Sequence, residues 1–157
     1  MTLHSAAFTS TSPDETAHLA TRLGAVLTAG DTVLLEGEIG AGKSHFARAL
    51  ILSRLPEPED VPSPTFTIVQ VYELAECDLW HTDLYRLGSP DQVVELGLLD
   101  AFQTGICIVE WPDRLDELRP AEALTIRLDD PEKTDLRQIT FSWSNPAWTD
   151  RVTEVLA

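Results

Sequence analysis

Lysine is scarce in this chain: of 157 residues only Lys43 and Lys133 carry an ammonium group. With nine scattered arginines they make 11 bases against 26 acids, a formal net charge of −15. Such a surface repels RNA and DNA, because phosphate neutralisation supplies most non-specific nucleic-acid affinity. No direct nucleic-acid binding is expected, so a nucleic acid acted on here would be held by something else. Long hydrophobic runs are missing too, none nearing the roughly 20 residues of a membrane-spanning helix. The opening residues, MTLHSAAFTSTSPDE, have neither the basic patch nor the apolar core of a secretory signal. The expectation is a soluble, cytoplasmic protein without a membrane role. Cysteine is limited to Cys77 and Cys107, both in apolar, strand-like stretches, which favours buried thiols over a disulfide or metal site. Repeats and low-complexity segments are absent.

Against these absences, 43% apolar residues over this length suit one domain, residues 1–157, with a proper core. Its organising stretch is VLLEGEIGAGKSHFARAL, from Val33 to Leu50. Val33, Leu34 and Leu35 read as a short buried strand. Gly37-Glu38-Ile39-Gly40-Ala41-Gly42-Lys43-Ser44 then fits G-x-x-x-x-G-K-[ST], the Walker A pattern, and Phe46, Ala47, Ala49 and Leu50 continue at helical spacing. Strand, glycine-rich turn and helix form the context of a phosphate-binding loop. Glycines let main-chain N–H groups approach phosphate closely, and the helix start adds the positive end of its dipole. Lys43 would reach the β- and γ-phosphates, with the Ser44 hydroxyl on Mg²⁺. The bland alternative is a glycine-rich turn that merely precedes a helix.

Elsewhere the chain reads as a succession of strands and helices. Residues 5–11 suit a first strand. Ser12-Pro13-Asp14-Glu15 reads as a capping box opening a helix to about Leu27, with His18 on its surface. Residues 56–62 form an acidic, proline-rich linker. Strands are expected at 67–72 and 77–85, joined by a turn near Ala75-Glu76. Short helices follow over 90–103, broken at Gly97, and a fully buried strand over 106–109. An antiparallel pair at 123–129 and 135–143 turns at 130–133, and a helix from about Pro146 closes the chain.

Turnover of a nucleotide needs an acid beside the loop. Glu110 ends a wholly apolar strand, where an α/β sheet opens its ligand crevice, and Asp83 sits near the end of another. For each, the competing account is a solvated carboxylate. Thr65 follows the linker, where phosphate-sensing switches place a threonine; ordinary turn chemistry competes.

Taken together, GEIGAGKS at 37–44, SPTF at 63–66, HTDLYRL at 81–87, ELGLLD at 95–100 and IVEWPDRL at 108–115 resemble the bacterial TsaE (YjeE) ATPases of tRNA threonylcarbamoyladenosine synthesis. The order and spacing fit over nearly the whole chain. Departures are Glu38-Ile39 for the family's common Asp-Leu and Ser44 for its Thr; past Pro120 the likeness thins. The resemblance implies an α/β fold, a compact single-domain P-loop NTPase with a mixed β-sheet flanked by helices, a C-terminal β-hairpin and a helix. It implies slow, Mg²⁺-dependent ATP hydrolysis that resets a TsaD–TsaB complex, the tRNA being met through those partners. By matching position, the resemblance implies that residues 37–44 bind nucleotide and that Lys43 holds phosphate. It also implies that Ser44 ligates Mg²⁺, Asp83 is a second metal-side acid and Glu110 is a metal-associated or water-orienting carboxylate. Thr65 would be the switch-like contact, and Trp111 matches a tryptophan held near the site in that family, a core aromatic capping the strand end being the alternative. Tyr85 and Arg86 serve packing or partner contact. On the same resemblance, the start of the first helix, Ser12 to Thr16, and Lys133 are expected to flank the adenine.

Three other readings have discriminating features. A small-molecule kinase shares the loop but carries a clustered arginine lid, which the scattered arginines do not supply. A GTP-driven switch reads guanine with an Asn-Lys-x-Asp loop, whereas the single asparagine, Asn145, precedes Pro146. A non-catalytic scaffold would bind nucleotide without turning it over.

Overall fold

The computed structural model describes residues 2–157. Seven strands form one mixed sheet: β1 (His4–Ser10), β2 (Thr32–Glu36), β3 (Val69–Glu73), β4 (Asp78–Asp83), β5 (Ile106–Glu110), β6 (Leu124–Asp129) and β7 (Arg137–Trp143). Their spatial order is β1-β7-β6-β2-β5-β4-β3. The inner pairs β6–β2, β2–β5 and β5–β4 are parallel; the outer pairs β1–β7, β7–β6 and β4–β3 are antiparallel. β2 and β5 are apolar almost throughout because parallel inner strands are covered on both faces.

Five helices cover the sheet: α1 (Pro13–Val26), α2 (Lys43–Arg54), α3 (Pro90–Glu95), α4 (Leu98–Thr104) and α5 (Ala147–Leu156). Leu19 and Leu23 of α1, Phe46 and Leu50 of α2 and Val152 of α5 share one core with Val33, Leu35, Ile106 and Ile108. On the opposite face, α3, α4 and the 3₁₀ segment Pro112–Leu118 enclose Leu34, Cys107 and Val109. Among the described residues no helix is long and apolar enough to cross a membrane.

Local signals hold with a few shifts. Ser12 caps α1 by accepting the Glu15 N–H at 3.1 Å, with Pro13 in the first turn. The Glu15 carboxylate, however, accepts from the Thr11 hydroxyl at 3.1 Å, so the expected box closes one residue earlier. β3 starts at Val69 instead of residue 67 because Pro64–Ile68 turns on itself: the Ile68 N–H reaches the Pro64 carbonyl at 2.6 Å and Ile68 takes φ 70°. β4 is shorter than the stretch 77–85; Cys77 lies in the preceding turn, half-buried and free, while Cys107 is fully buried. Nothing in the composition shows that β7 pairs with β1, which ties the chain's first strand to its last hairpin.

Trp148 anchors α5. It is 2% exposed and its indole N–H donates to the Glu122 carbonyl at 2.8 Å. Trp148→Ala is expected to cost about 3–5 kcal/mol in urea unfolding; a loss below about 1 kcal/mol would show that α5 is not part of the cooperative core.

Candidate functional site

The loop leaves β2 at its carboxyl end and enters α2 through Gly42, whose φ of 106° is left-handed. Gly37 is required by space as well as by φ, since a Cβ there would meet the Leu128 carbonyl oxygen at 2.5 Å. Register then fixes the acids. Leu35 of β2 faces Glu110 of β5, and Glu110 faces Asp83 of β4. Both carboxylates therefore stand on the sheet edge from which the loop springs, the crevice expected for an α/β fold.

Ser44, in the first turn of α2, donates its hydroxyl to Glu110 Oε1 at 3.0 Å. The other carboxylate oxygen, Oε2, is 2.7 Å from His81 Nε2, with Glu110 and His81 only 2% and 1% exposed. Asp83 Oδ1 accepts the Tyr85 N–H at 3.0 Å, while Oδ2 is reached by the Thr65 hydroxyl at 3.5 Å. Lys43 Nζ donates to the carbonyls of Gly37 at 2.5 Å and Glu38 at 3.0 Å, and lies 4.1 Å from the Trp111 ring centre. Burial lowers the Lys43 ammonium pKa, against the opposing pull of Glu110 and Asp83.

A cavity of about 390 Å³ joins Gly40, Gly42, Lys43, Ser44, Thr65, Asp83 and Glu110. The structure thus brings together Lys43, Ser44, Thr65, Asp83 and Glu110. Trp111 also lines this cavity; its φ of 58° turns the ring over Lys43 and within 4.8 Å of Tyr85. Glu38 and Ile39 form the exposed crest of the loop. Lys133 stands apart, lining a separate cavity with Glu38, Ile39, Gly40 and Asp130 on the loop's flank. The start of α1 instead faces a smaller cavity of about 200 Å³, where Pro13 and Thr16 meet Ala41, Gly42, His45, Asp135 and Arg137.

Two residues escape sequence reasoning. Arg137 donates its Nε–H to the Ala41 carbonyl at 2.8 Å, tying β7 to the loop, yet no signal separates it from the other arginines. His81 is a different case: it stands in HTDLYRL two residues before Asp83, and strand alternation alone puts the two on one face.

Burial raises the Asp83 carboxyl pKa, with the Glu110 charge adding to it and the Tyr85 N–H, His81 and Thr65 opposing. A carboxyl whose folded pKa is raised binds its proton more tightly in the folded chain. Its ionisation therefore costs stability that is absent below the unfolded carboxylate range and complete above the folded pKa. In metal-free buffer, Asp83→Asn should raise Tm at about pH 8, with the gain shrinking to nothing near about pH 3.5. An equal or lower Tm at the higher pH would contradict the cost assigned to Asp83.

Comparison with known proteins bears on this arrangement. A family model described as threonylcarbamoyl adenosine biosynthesis protein TsaE matches residues 10–139. The tRNA threonylcarbamoyladenosine biosynthesis protein TsaE of Bacillus subtilis (strain 168) is 38% identical over 138 residues, covering 83% of this chain and 80% of that protein. The protein of the same name from Rickettsia bellii (strain RML369-C) is 35% identical over 117 residues, covering 74% and 81%. The crystal structure of Bacillus subtilis YdiB aligns with a TM-score of 0.79 at 28% identity, over 99% of this chain and 96% of that one. The match takes in the glycine-rich loop and both acids of its crevice, and on these grounds the chain belongs to the TsaE family.

Proposed function

We propose that this chain binds ATP with Mg²⁺ and hydrolyses it slowly, in the cytoplasm, to serve threonylcarbamoyladenosine formation on tRNA. On this reading it acts on a TsaD–TsaB complex and transfers no group to tRNA itself. The observation that carries the reading is the Ser44–Glu110 contact of 3.0 Å beneath the glycine-rich loop. It sets a hydroxyl and a carboxylate, both hard oxygen donors, where the terminal phosphates of a nucleotide would end.

That donor set fits Mg²⁺. Among the described residues no three His, Cys, Asp or Glu side chains converge as a closed cage. Mg²⁺ is commonly held by one or two carboxylates completed by phosphate oxygens and water, so Ser44 and Glu110, with Asp83 behind them, suffice. Bound there, it would neutralise charge developing on the phosphates. The chain's own groups do the rest. Main-chain N–H groups of the loop and the start of α2 face the polyanion. Lys43 exchanges two carbonyl dipoles for full phosphate charges, and Glu110 orients the attacking water.

Adenine is assigned to the cavity at the start of α1. Pro13 offers an apolar face there, and Thr16, His45, Asp135 and Arg137 offer polar edges. Lys133, expected beside the adenine, lines the neighbouring cavity on the loop's flank, which shares Ala41 with this one. Asn145, the residue a guanine reader would need, is engaged in the turn before α5, where its side-chain oxygen accepts the Ala147 N–H at 3.0 Å. The acidic surface supports contact with tRNA through the partners only.

The test is ATP hydrolysis with and without a TsaD–TsaB heterodimer and tRNA. Lys43→Ala should weaken ATP binding and abolish repeated rounds of tRNA modification; unimpaired multiple turnover would rule out the partner role. Glu110→Gln should keep ATP binding but lose at least about a hundredfold in hydrolysis, the lower end for a positioned acid–base group. Equal turnover in that variant would remove Glu110 from the chemistry.

A further inference from the structure

We propose that His81 is a positioning residue, whose Nε2–H holds Glu110 aimed at the loop, and this rests on the hydrolytic reading above. Strand geometry prepares the contact. His81 pairs with Ile108 across β4 and β5, so its side chain shares a face with Glu110, two residues further along. The resulting Nε2–Oε2 distance of 2.7 Å lies between two side chains almost wholly removed from solvent.

The ring's other nitrogen settles which tautomer makes this bond. His81 Nδ1 is buried and has no hydrogen-bond partner among the described residues. A proton on Nδ1 would be a buried donor without an acceptor, which costs more than a bare lone pair there. The Glu110 carboxylate only accepts, so the proton belongs on Nε2 and is donated to it.

Glu110 has one other hydrogen-bonding side chain, Ser44, through Oε1. Once the Ser44 hydroxyl turns to another ligand, His81 is the remaining side-chain bond on that carboxylate among the described residues. Losing it would leave Oε2 without a fixed protein partner and let the carboxylate pivot against the metal or water it attends. Misplacement of about 1 Å is enough to cost a large rate factor. A purely structural role explains the pair poorly, since well-packed apolar residues would generally stabilise a core as well as a buried carboxylate hydrogen-bonded to an imidazole does.

Two polar substitutions separate position from polarity. His81→Gln carries an amide N–H to about the place of Nε2, whereas His81→Asn, one methylene shorter, carries it only to about that of Nδ1. The Gln variant should keep kcat within about threefold, and the Asn variant should lose at least about tenfold, with ATP Kd unchanged in both. Full kcat in the Asn variant, or equal losses in the two, would overturn the proposal. A second readout needs no turnover: in nucleotide-free protein with ¹⁵N-labelled histidine, the His81 ring should appear as the Nε2–H tautomer and shift in Glu110→Gln. An Nδ1–H tautomer would overturn it. Absence of hydrolysis by the wild-type chain would defeat the functional reading, while the ring spectrum would still decide whether His81 holds Glu110.

Discussion

The parallel pairing of β2 with β5 decides where this protein's acids can act. Leu35 opposite Glu110 means that β5 ends one residue before Glu36, where β2 gives way to the glycine-rich loop. A shift of one residue in that register would turn Glu110 to the other face of the sheet, toward Leu34 and Val109, and away from Ser44. The apolar side chains of β2 and β5 hold the register, because each strand is buried on both faces and a slip would misplace every one of them.

The same burial sets a conflict at the site. Lys43, Asp83 and Glu110 are nearly removed from water, and burial disfavours the charged forms of Lys43 and Asp83. Each is compensated locally: Lys43 by two loop carbonyls and the Trp111 ring, Asp83 by the Tyr85 N–H, Glu110 by Ser44 and His81. On the proposed reading, bound phosphate would relieve the ammonium further, and the free protein carries the cost of holding it there.

Much of this was legible from residue types alone. The loop, the buried strand ending in Glu110 and the capped first helix follow from glycine spacing, an unbroken apolar run and Ser-Pro chemistry, which act within a few residues. What escaped depends on contacts across the chain. Arg137 meets the loop only because β7 folds back beside β6, and no local pattern reports that. The turn at Ile68 replaces an expected strand start because a left-handed backbone there overrides a β-branched preference. Lys133, which the resemblance sets beside the adenine, is carried by the β6–β7 turn to the loop's flank, in a cavity that shares Ala41 with the one at the start of α1.

The most direct measurement is a crystal structure grown with Mg²⁺ and a non-hydrolysable ATP analogue. Lys43 Nζ should have left the carbonyls of Gly37 and Glu38 for phosphate oxygens, with Ser44 and Glu110 beside the terminal phosphate. An analogue bound elsewhere, with the ammonium still resting on those two carbonyls, would contradict the assignment of the loop as the phosphate site.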